Sequence, residues 1–182
     1  MKNKDDVKND LILLKKYLTR LYGSDKAKEL ILKNKDNLFG YHGLSYAAGK
    51  RSIEFFCLYF LQDTFVPKPD NDARPLAPIH YDIWQELEKI FLKDEYDKLC
   101  CALPRGMAKT TILDYGVSCW LQCYKKSILT VIGAKKESDA MNFSSRIRKA
   151  FEENKYIIRA FGKLIDSKHY IVNSMEIEFN NG

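Results

Sequence analysis

The segment that most constrains the fold is residues 98–124, which read KLCCALPRGMAKTTILDYGVSCWLQCY. Its first six residues form a short apolar run between Asp97 and Pro104, which is typical of a buried strand. The stretch that begins at Thr110 is long enough for a helix. A strand that leads through a tight loop into a helix is typical of α/β proteins. This segment therefore predicts an α/β layer.

The loop between the predicted strand and helix is close to the phosphate-binding pattern G-x-x-x-x-G-K-[ST]. Lys109 and Thr110 match the last two positions, whereas Leu103 and Ala108 occupy the positions of the two glycines. Gly106 supplies one residue with free φ. Alanine is the smallest replacement for glycine, and we expect it to be tolerated at Ala108 only if φ is negative there.

Phosphate binding of this kind needs backbone N–H groups at a helix N-terminus, a lysine that reaches the β- and γ-phosphates, and an adjacent hydroxyl for Mg²⁺. Lys109 and Thr110 supply the last two groups. The sequence therefore predicts an ATP and Mg²⁺ site in which Thr110 is the metal ligand. The predicted nucleotide-binding residues of the loop are Gly106, Met107, Ala108, Lys109, Thr110 and Thr111.

The segments after the loop continue the alternation of strands and helices. SILTVIG, residues 127–133, is apolar and predicts a second strand, and residues 136–154 predict an amphipathic helix. HYIVNS and MEIEFNNG, residues 169–174 and 175–182, predict two more strands. The predicted fold class is α/β, an incomplete P-loop NTPase core with a parallel-type sheet, preceded by a helical N-terminal extension.

Proline marks the predicted boundary between the extension and the core. Four of the five prolines lie between residues 66 and 79, where they disfavour helix. Apolar spacing predicts helices at 5–21, 24–33 and 51–65 before this connector, and at 80–94 after it. The predicted organisation is a helical segment at 1–65, a connector at 66–79 and a partial ATPase domain at 80–182.

Bulk properties exclude some classes of protein. The most apolar run, IEFFCLYFLQDTF, is shorter than the ~20 residues that cross a bilayer, and the charged N-terminus has no apolar core of a signal peptide. The five cysteines lack the spacing of a disulfide framework or a metal site. We therefore expect a cytoplasmic protein with reduced thiols and no membrane partner. The net charge of +6 permits a nucleic-acid partner without requiring one.

From about residue 75 to residue 182 the chain resembles the N-terminal ATPase domain of the large terminase subunit, the motor that packages DNA in tailed bacteriophages. LPRGMAKTT resembles the deviant loop R-x-x-G-K-T/S of that family, and HYDIWQEL resembles its upstream adenine motif. SMEIEFNNG resembles the strand before its acidic Walker B strand.

The resemblance implies an ATPase that drives viral DNA into a procapsid. It implies that Arg105 is catalytic together with Lys109 and stabilises charge at the γ-phosphate. It also implies that Gln85 contacts the adenine together with an aromatic residue, for which Tyr81 is preferred to Trp84. Its implied partners are ATP, double-stranded DNA held mainly by a C-terminal region, the small terminase subunit and the portal. The implied location is the cytoplasm of a bacterial host, with the gene carried by a phage or prophage.

The sequence departs from the family in lacking an apolar strand that ends in Asp-Glu before Gly182. We therefore expect this chain to bind nucleotide weakly and to hydrolyse it hardly at all. Two other functions remain open from the sequence. One is a helicase-like nucleic-acid ATPase, and the other is a non-catalytic interaction fragment or the remnant of a phage gene.

Overall fold

The computed structural model describes residues 4–127, 129–166, 168, 172–173 and 175–180. Within these ranges the chain is built from helices. Five α-helices and one short 3-10 helix, Lys35–Asn37, precede the proline-containing connector; the α-helices are α1 Lys4–Tyr22, α2 Ser24–Lys33, α3 Leu44–Lys50, α4 Ile53–Phe60 and α5 Gln62–Phe65. After it come α6 Pro78–Phe91, a π-helical segment Thr111–Val117, and the helices α7 Ser118–Cys123, α8 Glu137–Glu153 and α9 Lys155–Phe161.

Helix α4 lies at the centre of the core because its aromatic side chains are buried all round. Phe55, Phe56, Tyr59 and Phe60 are each at most 1% exposed. Their rings meet aromatic residues of α1 and α9, and Tyr124 just after α7, at centroid distances of 4.8–6.4 Å. Such pairs add about 0.5–1.5 kcal/mol each beyond the burial of their area. Helices from both sides of the connector therefore share one core, and the predicted division into a helical segment and an ATPase domain stays a prediction.

Three hydrogen-bonded side chains, Glu88, Ser52 and Asn154, fix the ends of α4. Glu88 of α6 accepts hydrogen bonds through Oε1 from Ser52 Oγ at 2.7 Å and from the backbone N–H of Ile53 at 2.9 Å. The hydroxyl of Ser52 also accepts from the backbone N–H of Phe55, so it caps the helix N-terminus. At the other end, Asn154 Nδ2 donates to the carbonyl of Phe60 at 2.7 Å. Because Asn154 also caps α9, one side chain joins the two helices.

The predicted α/β core with a parallel-type sheet is wrong. No β-strand occurs in the part of the chain that the structure describes, where a single antiparallel bridge joins Val172 and Ile177. Residues 98–103 and the described part of 127–133 lie outside helices and strands, and Leu99, Leu129 and Val131 are exposed. A parallel strand needs backbone partners and cover on both faces. Here the helices bury their aromatic residues against each other and leave these apolar runs at the surface.

Most of the predicted helices are present in the structure, whereas the predicted strands are not. Helix α2 has the predicted bounds, and α1, α6 and α8 differ from their predictions by one to three residues at either end. The helix predicted at 51–65 is broken at Leu61 into α4 and α5. Helices α3 and α9 were not predicted. Of the strands predicted at 169–174 and 175–182, residues 169–171, 174, 181 and 182 lie outside the described residues.

A close approach at Gly116 positions the helical segment that follows the loop. A Cβ atom at this residue would lie 3.0 Å from Cys57 Sγ and 3.3 Å from the ring of Phe65. Glycine therefore lets the π-helical segment pack directly on α4 and α5. This contact fixes the C-terminal end of the π-helical segment against the core. The predicted phosphate-binding loop lies at the N-terminal end of the same segment.

Candidate phosphate-binding site

The loop before the π-helical segment contains two left-handed residues. Gly106 has a φ of +84°, and Ala108 has a φ of +50°. The expectation that alanine is tolerated only at negative φ is therefore wrong for Ala108, which is held in a conformation that costs an L-residue about 1–2 kcal/mol. The loop thus keeps at both residues a backbone that glycine adopts more readily.

Lys109 is the first residue in helical conformation after the loop, and its side chain turns back over the loop. Its Nζ atom donates a hydrogen bond to the carbonyl of Leu103 at 2.5 Å. The carbonyl of Ala108 accepts from the backbone N–H of Ile112 at 3.0 Å, so the loop runs directly into a helical turn. The N–H groups of a first helical turn have no acceptors within the helix and favour an anion. The ammonium group and the helix start therefore lie at the same end of the segment.

A cleft of about 380 Å³ begins at the residue that follows Lys109. Its walls come from the start of this helical segment, from residues 133–134 and from the first part of α8. The lining residues are Thr110, Asp114, Gly133, Ala134, Asp139, Asn142 and Phe143. This volume is within the usual range of small-molecule sites, about 300–1,000 Å³.

The polar groups of the cleft are oxygen-rich. Thr110 contributes a hydroxyl, Asn142 an amide, and Asp114 and Asp139 contribute carboxylates. Burial raises the pKa of Asp114 above its ordinary value. From the sequence, Asp114 has no predicted catalytic role, Asp139 is predicted to lie on a solvated helix face, and Asn142 carries no prediction. The spacing of four residues between Thr110 and Asp114, close to one helical turn, is the signal that places both on one face.

The structure separates the predicted site residues into two groups. Arg105, Gly106 and Met107 are exposed on the loop, and Thr111 is half-buried at the start of the π-helical segment. The proposed adenine contacts lie apart on α6, where Gln85 is exposed. Tyr81 is half-buried, with its ring 5.6 Å from that of the core residue Trp84. Neither borders the cleft, and their role in base binding stays a prediction.

The basic residues of α8 have partners on the protein. The guanidinium group of Arg146 lies 4.4 Å from the ring centroid of Tyr115. Arg148 and Lys149 lie 4.0 and 3.8 Å from the carboxylates of Glu152 and Glu153, respectively. These pairs are typical of a solvated helix face.

Three of the cysteines lie in the core rather than near the loop. Cys57, Cys119 and Cys123 are at most 4% exposed, and burial raises the pKa of each thiol. Cys100 is exposed. Among the described residues, no group of three or more histidine, cysteine or acidic side chains is arranged to hold a metal ion.

No helix in the described ranges has both the length and the apolar character needed to cross a bilayer. Comparison with known proteins adds no identification: the chain matches no protein-family model, no curated protein and no solved structure.

Replacing Ala108 by glycine is expected to stabilise the protein. The left-handed backbone costs alanine about 1–2 kcal/mol, whereas the extra flexibility of glycine in the unfolded chain costs about 0.5–1 kcal/mol. We expect the free energy of unfolding to rise by about 0.5–1 kcal/mol in urea titrations. Ala102→Gly, at an exposed residue outside the left-handed region, is the control and should not stabilise the protein. A loss of stability in Ala108→Gly would contradict the loop geometry.

Proposed function

We propose that the loop at residues 103–111 and the adjoining cleft bind the phosphates of ATP together with Mg²⁺. The observation that carries the proposal is the position of Lys109 and Thr110. They begin a helical segment directly after a loop with two left-handed residues, and Thr110 borders a cleft of about 380 Å³. An ammonium group, first-turn N–H groups and a hydroxyl at one helix start form an anion site.

Each residue of the loop has a distinct task in this proposal. Lys109 exchanges its hydrogen bond with the carbonyl of Leu103 for the β- and γ-phosphate oxygens. The backbone of Gly106, Met107 and Ala108 supplies N–H groups, and Arg105 is exposed beside them, where its guanidinium can move toward the γ-phosphate. Thr111 is the next residue after Thr110 and the first of the π-helical segment, so its backbone N–H belongs to the same helix start.

The cleft supplies a donor set that fits Mg²⁺. The hydroxyl of Thr110, the carboxylates of Asp114 and Asp139 and the amide of Asn142 are oxygen ligands, which this hard cation prefers. Mg²⁺ normally keeps several waters and the phosphate oxygens as ligands, so one or two protein oxygens are enough. When bound, the ion would neutralise charge on the phosphates. The protein groups would hold its waters in place.

At the level of the whole protein, we propose an ATP-driven motor of the large-terminase kind, acting on viral DNA in the cytoplasm of a bacterial host. The support is the resemblance of LPRGMAKTT and HYDIWQEL to the motifs of that family. The proposed partners are double-stranded DNA, the small terminase subunit and the portal. The helical architecture of the described residues adds no support to this wider proposal, which rests on the motifs.

Fluorescent ATP tests the phosphate site directly. In titrations with N-methylanthraniloyl-ATP and Mg²⁺, we expect saturable binding that Lys109→Ala weakens at least tenfold, because a charge-assisted hydrogen bond is worth about 1.5–3 kcal/mol. Lys33→Ala is the matched control, since Lys33 is an exposed lysine on α2. Thermal melts show whether Lys109→Ala remains folded after losing its bond to Leu103.

The same titration separates the metal from the phosphate contribution. Thr110→Val should weaken binding in Mg²⁺ and have little effect in EDTA, because only the metal ligand is lost. Binding that is equally strong in Lys109→Ala and in the unaltered chain would exclude this loop as the site. A folded chain that binds no nucleotide would favour the non-catalytic interaction protein.

A further inference from the structure

A second and larger concavity also borders α8, next to the cleft beside Thr110. It has a volume of about 1520 Å³ and runs between α7, α8 and the segments 129–132 and 175–179. We call it the α7–α8 groove. Its apolar lining includes Leu129, Val131, Ile132, Met141, Ile147 and Met175. It shares no lining residue with the cleft beside Thr110, so an inference about the groove does not depend on ATP binding.

The apolar side chains at the mouth of the groove are unusually exposed. Leu129 is 77% exposed, Val131 80% and Met175 72%. Contiguous exposed apolar surface in a concavity is typical of an interaction site, whereas single exposed apolar residues need no explanation. The groove therefore has the character of a docking surface.

The segment 129–132 has the side-chain pattern of an unpaired edge strand. Leu129 and Val131 are exposed, while Thr130 and Ile132 between and after them are half-buried. A hydrogen bond fixes Thr130 to α7, since its Oγ1 accepts from Gln122 Nε2 at 2.9 Å. In the described part of the chain no strand pairs with this segment. The carbonyl of Leu129 accepts a hydrogen bond from Ser127 Oγ at 2.7 Å, and among the described residues no backbone group bonds to the rest of the segment. Residues 130–132 therefore offer backbone groups to a partner strand.

Among the residues that the structure describes, the charged side chains that line the groove are three glutamates, Glu137, Glu176 and Glu178, and one lysine, although the whole chain carries a net charge of +6. Glu137 and Glu176 line it and are exposed, and Lys125 is the one basic side chain among its described lining residues. A partner with positive charge at its end is favoured here, because opposite charges across an interface steer association and fix register.

We propose that the α7–α8 groove binds an extended apolar peptide segment with a basic end, supplied by a partner polypeptide, which pairs with residues 129–132 as an added strand. Main-chain hydrogen bonds to the edge give affinity, and alternate side chains of the peptide cover Leu129 and Val131. The basic end lies against Glu137 and Glu176. Partner capture at this groove is a function separate from nucleotide binding.

A synthetic peptide tests the proposal with the full chain. The probe is a fluorescein-labelled octapeptide in which threonine and valine alternate between two terminal lysines, and its binding is measured by fluorescence anisotropy. We expect saturable binding that Val131→Lys or Met175→Lys weakens at least tenfold, because each places a charge on the apolar contact. Leu32→Lys is the matched control, since Leu32 is an equally exposed leucine, at 69%, on α2.

Two changes to the probe distinguish strand addition from general stickiness. Replacing the central threonine by proline removes a donor from the added strand and should weaken binding. Replacing both lysines by glutamate should weaken binding to the unaltered chain, and Glu176→Lys should reverse this preference. Because Met175 and Val131 are exposed, at least one lysine variant is expected to fold, which thermal melts check.

Three results would overturn the proposal. The first is no binding of the lysine-ended peptide, and the second is equal binding of the proline-containing peptide. The third is a dimer in analytical ultracentrifugation that Val131→Lys converts to monomer, which would assign the groove to a second copy of this chain.

Discussion

Replacing Trp120 by alanine is expected to lower the free energy of unfolding by about 3–5 kcal/mol, as large-to-small changes of aromatic core residues do. The side chain is 0% exposed and lies between Phe91 and Tyr124, at ring-centroid distances of 6.0 and 5.8 Å. Its Nε1 donates a hydrogen bond to the carbonyl of Gly49 at 2.9 Å. One residue therefore joins α7 to α3 and α6. Its removal leaves a cavity and takes the shorter of two hydrogen bonds from the carbonyl of Gly49, which keeps only the backbone N–H of Ser52 as a donor at 3.4 Å.

Urea titrations followed by circular dichroism measure this effect. Trp120→Phe keeps most of the apolar volume but loses the indole donor, so we expect an intermediate loss of about 1–3 kcal/mol. Leu32→Ala, at a residue that is 69% exposed, should change stability by less than about 0.5 kcal/mol. A loss below 1 kcal/mol in Trp120→Ala would mean that α7 does not pack against α3 as described.

The second large effect is expected at Glu88, whose carboxylate holds the start of α4 from a neighbouring helix. In Glu88→Ala, the backbone N–H of Ile53 and the hydroxyl of Ser52 lose their acceptor. Each unsatisfied buried donor costs about 1–3 kcal/mol, and removal of a desolvated charge offsets part of that loss. We expect the free energy of unfolding to fall by about 2–3 kcal/mol.

Glu88 also makes stability depend on pH in a defined direction. Burial is the main cause that raises its pKa above the ordinary 4.5, and the nearby charge of Glu54 adds to the effect. A carboxyl group with a raised pKa binds its proton more tightly in the folded state than in the unfolded state. Stability from this group is therefore greatest below pH 4.5 and is lost as the pH rises through the folded-state pKa.

Comparison of Glu88→Gln with the unaltered protein isolates this contribution. The variant cannot ionise, so its stability relative to the unaltered protein should increase as the pH rises above about 4.5 and then become constant. The contributions of other titrating groups to the pH dependence are the same in both proteins, so they cancel in the difference between the two free energies of unfolding. Glu29→Gln, at an exposed residue of α2, should show no such trend. A constant difference across this pH range would contradict the burial of the Glu88 carboxylate.

Amphipathic spacing was enough to predict most of the helices. Leu14, Tyr17 and Leu18 are buried along α1, and Ile83 and Leu87 are buried along α6, because the 3.6-residue period places them on one face. Proline at the start of α6 is also a local signal. Helices α3 and α9 were missed because each has only seven residues, too few for a period to stand out.

The strand predictions failed because a short apolar run does not reveal whether it is paired. Leu99, Leu129 and Val131 have the composition of a buried strand, yet burial needs partners that lie elsewhere in the chain. The all-round apolar character of FFCLYF indicated a buried helix, and that helix organises the core instead. Long-range capping by Glu88, 36 residues from Ser52, leaves no local pattern to detect.

The residues of the candidate site that lie in one short stretch of sequence were predictable, whereas those brought in by the packing of other elements were not. Lys109 and Thr110 were predicted because they match the motif of the loop, and the structure places both at one helix start. Asp139 and Asn142 reach the cleft from α8, about 30 residues later, so only packing brings them together. Gln85 and Tyr81 were assigned from motif resemblance, and the structure places them on α6 outside the cleft.

The bonds between α4 and α9 determine when the protein can fold as it leaves the ribosome. Arg159 donates to the hydroxyl of Tyr59 across 100 residues of sequence, and Asn154 reaches the carbonyl of Phe60 across 94. The aromatic face of α4 is synthesised long before α9, which covers it. During that interval, about 5–20 s at common elongation rates, the nascent chain exposes its most apolar helix. This interval is the one in which a chaperone that binds aromatic segments would act on the chain.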